Sequence, residues 1–262
     1  MRILVHGATG RMGRAVIVQA SHDPHIVLAA AVTRGGHPLL GLDAGEQAGC
    51  GQARVALGDR DAAVEDIDAV IDFSTAAAFG DALALASALQ APLVSGTTGL
   101  QPEQLADLND LSQQLPVLWA PNMSLAMSVM QQLVASAAAA LPQADVEIIE
   151  SHHRGKIDAP SGTAWGLAGA IAKARGQSVH EVAQPQRTGQ QQARQAGEIG
   201  MAALRGGTVA GVHRVYFELD GETLELAHQA QDRDIFARGA LRAAHWLIAQ
   251  PAGRYQLHQV VS

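Results

Sequence analysis

Residues 2–21 read RILVHGATGRMGRAVIVQAS, and the order of features within them decides the fold. Ile3–Val5 is a short apolar run, the pattern of a strand buried on both faces. Gly7-Ala8-Thr9-Gly10-Arg11-Met12-Gly13 ends it, with a glycine at every third position. Met12, Ala15 and Val16 then fall at helical spacing, and Ile26–Val32 is a second apolar run. Strand, glycine loop, helix and strand within about 30 residues make the opening unit of a nucleotide-binding sheet. Glycines let the backbone turn tightly and approach a pyrophosphate, which helix N-terminal N–H groups receive. A glycine triplet alone fits a ligand-free turn equally well; its place between strand and helix favours a cofactor.

The alternation continues outward from this unit. Ala53–Leu57 and Ala69–Phe73 read as strands, 76–89 as an Ala/Leu helix and Pro92–Ser95 as a strand. Residues 101–114 read as a helix and Pro116–Ala120 as a strand. Beyond Pro121 the rhythm changes to a long helix at 124–141, a strand at Val146–Ser151 and a helix at 161–175. Residues 176–196, rich in Gln, Arg and Gly, read as a flexible loop. Strand-like stretches at 197–204, 208–219 and 222–230 follow, the last two joined at the hairpin signal Asp220-Gly221. A helix at 233–249 carries Phe236, Ala240, Leu241, Ala244 and Leu247 on one stripe that suits packing on either domain. The fold class is therefore α/β. An N-terminal Rossmann-type parallel sheet domain precedes a C-terminal α+β domain with an open mixed or antiparallel sheet, its antiparallel strands late in the chain.

Composition sets limits. The 262 residues suffice for one large domain or two modest ones, and 48% apolar against 16% charged residues is globular usage. Aromatics are only 3%, so the core rests on Ala, Val, Leu and Ile. A net charge of −7 argues against broad binding to nucleic acid or anionic membrane. The single cysteine, Cys50, permits no disulfide within the chain and no cysteine zinc site. The first apolar run is too short for a signal peptide, and Ser and Gln interrupt 124–141, so a cytoplasmic setting is expected.

The second strand ends Val32-Thr33-Arg34-Gly35-Gly36, without the acid that usually meets an adenosine ribose. Arg34, helped by Arg11, suits a 2′-phosphate, which favours NADPH over NADH; the alternative is a solvated loop arginine. Asp72-Phe73-Ser74-Thr75, Ser95-Gly96-Thr97-Thr98-Gly99 and Ala120-Pro121-Asn122 follow later strands, where ligands of open α/β sheets sit. Gly96, Thr97 and Thr98 suit a nicotinamide amide.

Residues 150–164, ESHHRGKIDAPSGTA, concentrate cations in an acidic chain. On an extended chain His152 and His153 point to opposite sides. Adjacent histidines without a third ligand do not suit zinc. Ser161 reads as a helix N-cap, placing the N–H groups of Gly162 and Thr163 in the first turn. With His153, Arg154 and Lys156 nearby, the pattern suits a carboxylate-bearing substrate. A surface helix with Asp158 paired to Lys156 or Arg154 is the bland alternative. A lysine or histidine here could supply the proton that balances hydride addition.

The run Glu150–Ala164 resembles the signature of the bacterial dihydrodipicolinate reductases, also called 4-hydroxy-tetrahydrodipicolinate reductases. Gly7–Gly13, Asp72-Phe73-Ser74, Gly96–Gly99, Ala120-Pro121-Asn122, Arg205-Gly206-Gly207 and Phe236–Leu241 extend the resemblance along nearly the whole chain. It implies an enzyme of lysine and diaminopimelate biosynthesis that reduces a cyclic dicarboxylate with NADPH or NADH. It implies a homotetramer built through the second domain's open sheet, with a small-molecule substrate and no nucleic acid, membrane or metal. The implied domains are 1–122 with 233–262 for the dinucleotide, and 123–232 for substrate and oligomerisation. Carried over by position, His152 and Lys156 match the proton donors, and His153, Gly162 and Thr163 the substrate contacts. Cofactor contacts fall on Gly7, Ala8, Thr9, Gly10, Arg11, Met12, Thr33, Arg34, Gly96, Thr97, Thr98, Ala120, Pro121, Asn122 and Met123. Three positions depart from the family pattern. Gly155 stands where many members have a basic residue, Thr33 where many have an acid facing the ribose, and Met123 where an aromatic is common.

Overall fold

The computed structural model describes residues 1–62, 64–185, 187–189 and 193–261. The chain divides into two compact units, Met1–Leu125 with Arg233–Ser262, and Ala126–Asp232.

The first unit opens with β1 (Arg2–His6), α1 (Arg11–Ser21) and β2 (Val27–Val32). α2 (Ala44–Ala48), β3 (Leu57–Gly58) and β4 (Ala69–Asp72) follow. Next come α3 (Phe79–Leu89), β5 (Leu93–Ser95), α4 (Pro102–Ser112) and β6 (Pro116–Trp119). β4 and β5 are buried throughout, as strands covered on both faces must be. The expected strand at Ala53–Leu57 is a correction. The Asp43 carboxylate caps α2 and also accepts from the N–H groups of Ala53 and Val55. That backbone is thereby taken out of the sheet, and only Leu57–Gly58 pairs with β2.

The second unit holds α5 (Leu125–Ala140, its first residue in the first unit), β7 (Asp145–His152), α6 (Gly162–Ala174) and α7 (Val179–Val182). β8 (Ala183–Gln184), β9 (Ile199–Arg205), β10 (Gly211–Leu219) and β11 (Glu222–Ala230) complete it. The five strands run in the order β11-β10-β7-β9-β8. β10 is antiparallel to both neighbours, whereas β9 is parallel to β7 and β8. The late strands are thus not all antiparallel, because α6 carries the chain back over the sheet between β7 and β9. The segment expected as a flexible loop over 176–196 contains α7 and β8, and Arg187 and Arg194 both pair with Glu147. Residues 186 and 190–192 of that expectation lie outside the described residues.

β7 alternates strictly in burial. Val146 and Ile148 join Met127, Met130 and Val134 of α5 and Leu167 and Ile171 of α6 in one core. The opposite face, with Ile149, Val212 and Tyr216, is only partly covered, and Leu204 stands 52% exposed on it.

The chain returns to the first unit with α8 (Asp234–Leu247) and the unforeseen β12 (Gly253–Tyr255). α8 buries Ala237, Ala240, Ala244 and Leu247 in the core beneath β1 and β4. β12 pairs with β6, so the parallel sheet runs β12-β6-β5-β4-β1-β2-β3. No helix among the described residues is long and apolar enough to cross a membrane.

Candidate active site

The glycine loop of the first unit is built to approach a ligand. Gly7 adopts φ +76°, a left-handed conformation that side chains resist. A Cβ on Gly13 would stand 2.2 Å from the Gly7 carbonyl oxygen, so α1 seats directly on the loop. α1 starts at Gly10 with no side chain capping it, which presents its first-turn N–H groups at Arg11 and Met12. Ala8 is buried behind them. Thr9 and Thr33 share a hydroxyl hydrogen bond of 2.9 Å that ties the loop to the end of β2. Arg11 and Arg34 are exposed beside it. These residues fit a dinucleotide: a tight loop, a bare helix start and two exposed arginines beside it.

At the next strand ends a buried carboxylate organises the loops. Asp72 is fully buried and faces His6 Nδ1 at 2.8 Å. It accepts from the Ser95 and Thr97 hydroxyls, each at 2.7 Å, and from the Ser74 N–H at 3.1 Å. Burial pushes its pKa up, but the His6 bond and charge and the hydroxyl bonds outweigh burial and hold it below the carboxylate range. Thr97 is held again at its carbonyl by the Trp119 indole N–H, 2.8 Å away. Gly96 is required beside it, since a Cβ there would lie 2.1 Å from the Phe73 ring. Thr98 is exposed next to this pair. Beyond β6, Ala120 is buried, Pro121 is exposed, and the Asn122 side-chain oxygen accepts from the Ser124 N–H. Met123 buries its side chain in the core, so that side chain serves packing.

The second unit gathers its polar residues at the end of β7. Glu150 and His152 are two apart and share the buried face, while His153 beyond them is partly exposed. Register adds Arg205 opposite His152 on β9 and His213 opposite Glu150 on β10. Glu150 accepts from Arg205 at 2.7 and 2.8 Å and from the Ser161 N–H at 3.0 Å, and His152 Nδ1 lies 2.5 Å from it. Burial raises the Glu150 pKa, and the bonds to Arg205, His152 and Ser161 more than reverse that. Burial lowers the His152 pKa; Glu150 opposes this, and the Lys156 and Arg205 charges reinforce it.

Ser161 caps α6 through its hydroxyl, which accepts from the Ala164 N–H and meets His213 Nε2 at 3.1 Å. Gly162 and Thr163 form the first turn, and a Cβ on Gly162 would meet no atom within 4 Å. His153 Nδ1 accepts from the Gly155 N–H, so Nε2 carries its proton in the neutral ring and can donate to an anion. Lys156 Nζ donates to Asp158 at 2.7 Å, which draws the Asp158 pKa down. The structure thus brings His152, His153, Lys156, Gly162 and Thr163 to one end of one sheet. Sequence reasoning passed over His6, Glu150, Arg205 and His213 as working residues. Glu150 and His152, an ionisable pair two apart on a strand, carried a local signal; the other three reach their partners only through register.

A glycine-loop sheet unit, followed by a mixed-sheet unit with a cation-flanked helix start, is the layout of an oxidoreductase working with a nicotinamide cofactor. The N-terminal domain model "Dihydrodipicolinate reductase, N-terminus" matches residues 1–123, and the C-terminal model of the same family matches residues 126–261. The chain belongs to the dihydrodipicolinate reductase family, enzymes of lysine and diaminopimelate biosynthesis. A 4-hydroxy-tetrahydrodipicolinate reductase from Psychrobacter arcticus is 44% identical over 98% of this chain and 93% of its own length. One of the same name from Methylocella silvestris is 44% identical over 100% of this chain and 97% of its own. Among solved structures, a dipicolinate-bound dihydrodipicolinate reductase from Paenisporosarcina sp. TG-14 shares the fold. Its TM-score is 0.75 at 24% identity, covering 98% of this chain and 97% of that one.

Proposed function

We propose that this chain reduces 4-hydroxy-tetrahydrodipicolinate, with NADPH as the favoured donor and the Glu150–Ala164 segment as its substrate site. The observation that carries this reading is the convergence of His152, Lys156 and the α6 start at one end of the mixed sheet. The first-turn N–H groups at Gly162 and Thr163, with His153, receive the substrate's carboxylates. The dipicolinate bound to the fold neighbour is a dicarboxylate of the same class. The nicotinamide, when bound, supplies hydride to the substrate ring. The ring's 4-hydroxyl leaves as water, charge builds on the ring as hydride adds, and His152 or the Lys156 ammonium supplies the proton that balances the hydride. Gly7–Met12, Gly96–Thr98 and Ala120–Met123 hold the cofactor, with Thr33 and Arg34 at its ribose. Arg34 and Arg11 meet the 2′-phosphate, since β2 ends without an acid. The partly covered sheet face around Ile149, Leu204 and Tyr216 assembles the homotetramer, in a cytoplasmic setting.

Arg34→Ala tests the cofactor assignment. Its expected effect is a tenfold or greater loss of NADPH affinity, about 1.4 kcal/mol or more, with NADH affinity unchanged. Equal affinity for the two cofactors in the parent, untouched by the substitution, would defeat it.

A further inference from the structure

Glu150 is 1% exposed and reaches the α6 start through the backbone N–H of its cap, Ser161. A carboxylate offers about four acceptor sites. Here both Arg205 amino groups, His152 Nδ1 and the Ser161 N–H surround them. Such a saturated carboxylate cannot itself trade protons with a substrate. It can dictate what its neighbours do. Because an ionised carboxylate only accepts, the proton of a neutral His152 must sit on Nδ1. The exchangeable position is then Nε2. The same carboxylate holds the backbone of Ser161, the cap of α6, and Arg205 also donates to the Asp158 carbonyl at 2.5 Å.

We propose that Glu150, clamped by Arg205, is a positioning residue that sets the tautomer and basicity of His152 and locks that ring to the substrate-binding helix start. This rests on the reading of His152 as a proton donor given above. The groups facing His152 are Glu150 on its own strand, Arg205 on β9 and His213 on β10 with its ring edge-on at 5.1 Å. Lys156 adds its charge from the loop, where Asp158 is its partner. His228 lies behind His213 on β11. A buried ion pair could also do no more than pin strands together. The two roles part company in their electrostatics. Removing the Glu150 charge takes an anion from beside the imidazolium, whereas removing the Arg205 charge takes away a cation.

The test is a histidine titration by nitrogen-15 NMR, alongside the pH profile of kcat/KM, on the full chain. In the parent, neutral His152 is expected as the Nδ1–H tautomer. Glu150→Gln lowers the His152 pKa and moves the alkaline limb of kcat/KM to lower pH, by on the order of one to three units. Arg205→Gln moves both upward. NADPH affinity stays within about twofold in each, which reports an intact first unit. An Nε2–H tautomer in the parent overturns the proposal and needs no variant to fold. So do shifts of the same sign, or none, in the two variants. His152→Gln separates the underlying reading. Near-normal turnover in that variant sinks the proton-donor role of His152, while the tautomer and titration still decide whether Glu150 governs the ring.

Discussion

His213 shows at single-residue scale how this site is tuned. It is 4% exposed, and burial first, then the neighbouring His152, push its pKa down to about 4 from 6.5. The folded protein therefore refuses a proton that the unfolded chain accepts. Above pH 6.5 both states are neutral and the histidine has no effect on pH dependence; between 6.5 and 4 stability falls as pH falls. The full loss is about 3 kcal/mol. Denaturant unfolding at neutral pH and near pH 4.5 should show His213→Gln losing about 2 kcal/mol less than the parent over that interval. Equal losses would place the acid sensitivity elsewhere. At Lys156 the expected effect is on chemistry. Lys156→Ala should lower kcat by about a hundredfold or more with NADPH affinity unchanged, as single-turnover kinetics and cofactor titration would show. Residue identity carried much of this in the sequence. Ser161 as a cap and the opposed histidines need only local spacing to be read. Arg205 meets Glu150 from 55 positions away, and only strand register, invisible in a single sequence, puts them together.

At the scale of elements, the first unit was legible because one period ruled it: apolar runs alternating with helical stripes. Its misreading at 53–57 came from a side chain, Asp43, whose bonds to the Ala53 and Val55 N–H groups replaced strand pairing. The parallel placement of β9 was likewise hidden, since an apolar run does not state its direction. The seating of α1 on its loop yields a sharp prediction. Gly13→Ala would force a methyl against the Gly7 carbonyl, costing about 1–3 kcal/mol in thermal or denaturant unfolding and weakening NADPH binding together. The α6 cap yields another. Ser161→Ala removes the hydroxyl that accepts from Ala164 and meets His213. The expected cost is about 1 kcal/mol of stability, with a higher KM for the dicarboxylate and a smaller change in kcat.

For the whole molecule, the net charge is −7 although Glu150–Ala164 gathers cations, so attraction of the proposed dicarboxylate would be local rather than a property of the surface at large. The mixed sheet has one face packed under α5 and α6 and the other only partly covered. Leu204→Asp on that second face should shift the molar mass seen by light scattering from a tetramer toward smaller species; an unchanged mass would assign assembly to another surface. Domain order was readable from the change of rhythm after Pro121. The return of α8 to the first unit was not readable from its stripe alone, because a stripe suits either core. The most direct measurement is NADPH oxidation with freshly generated 4-hydroxy-tetrahydrodipicolinate, run on the parent, His152→Gln and Lys156→Ala beside NADPH binding. The account predicts turnover in the parent and a loss of about a hundredfold or more in each variant, with cofactor affinity within about twofold. No turnover in the parent, or near-normal turnover in both variants, would contradict it.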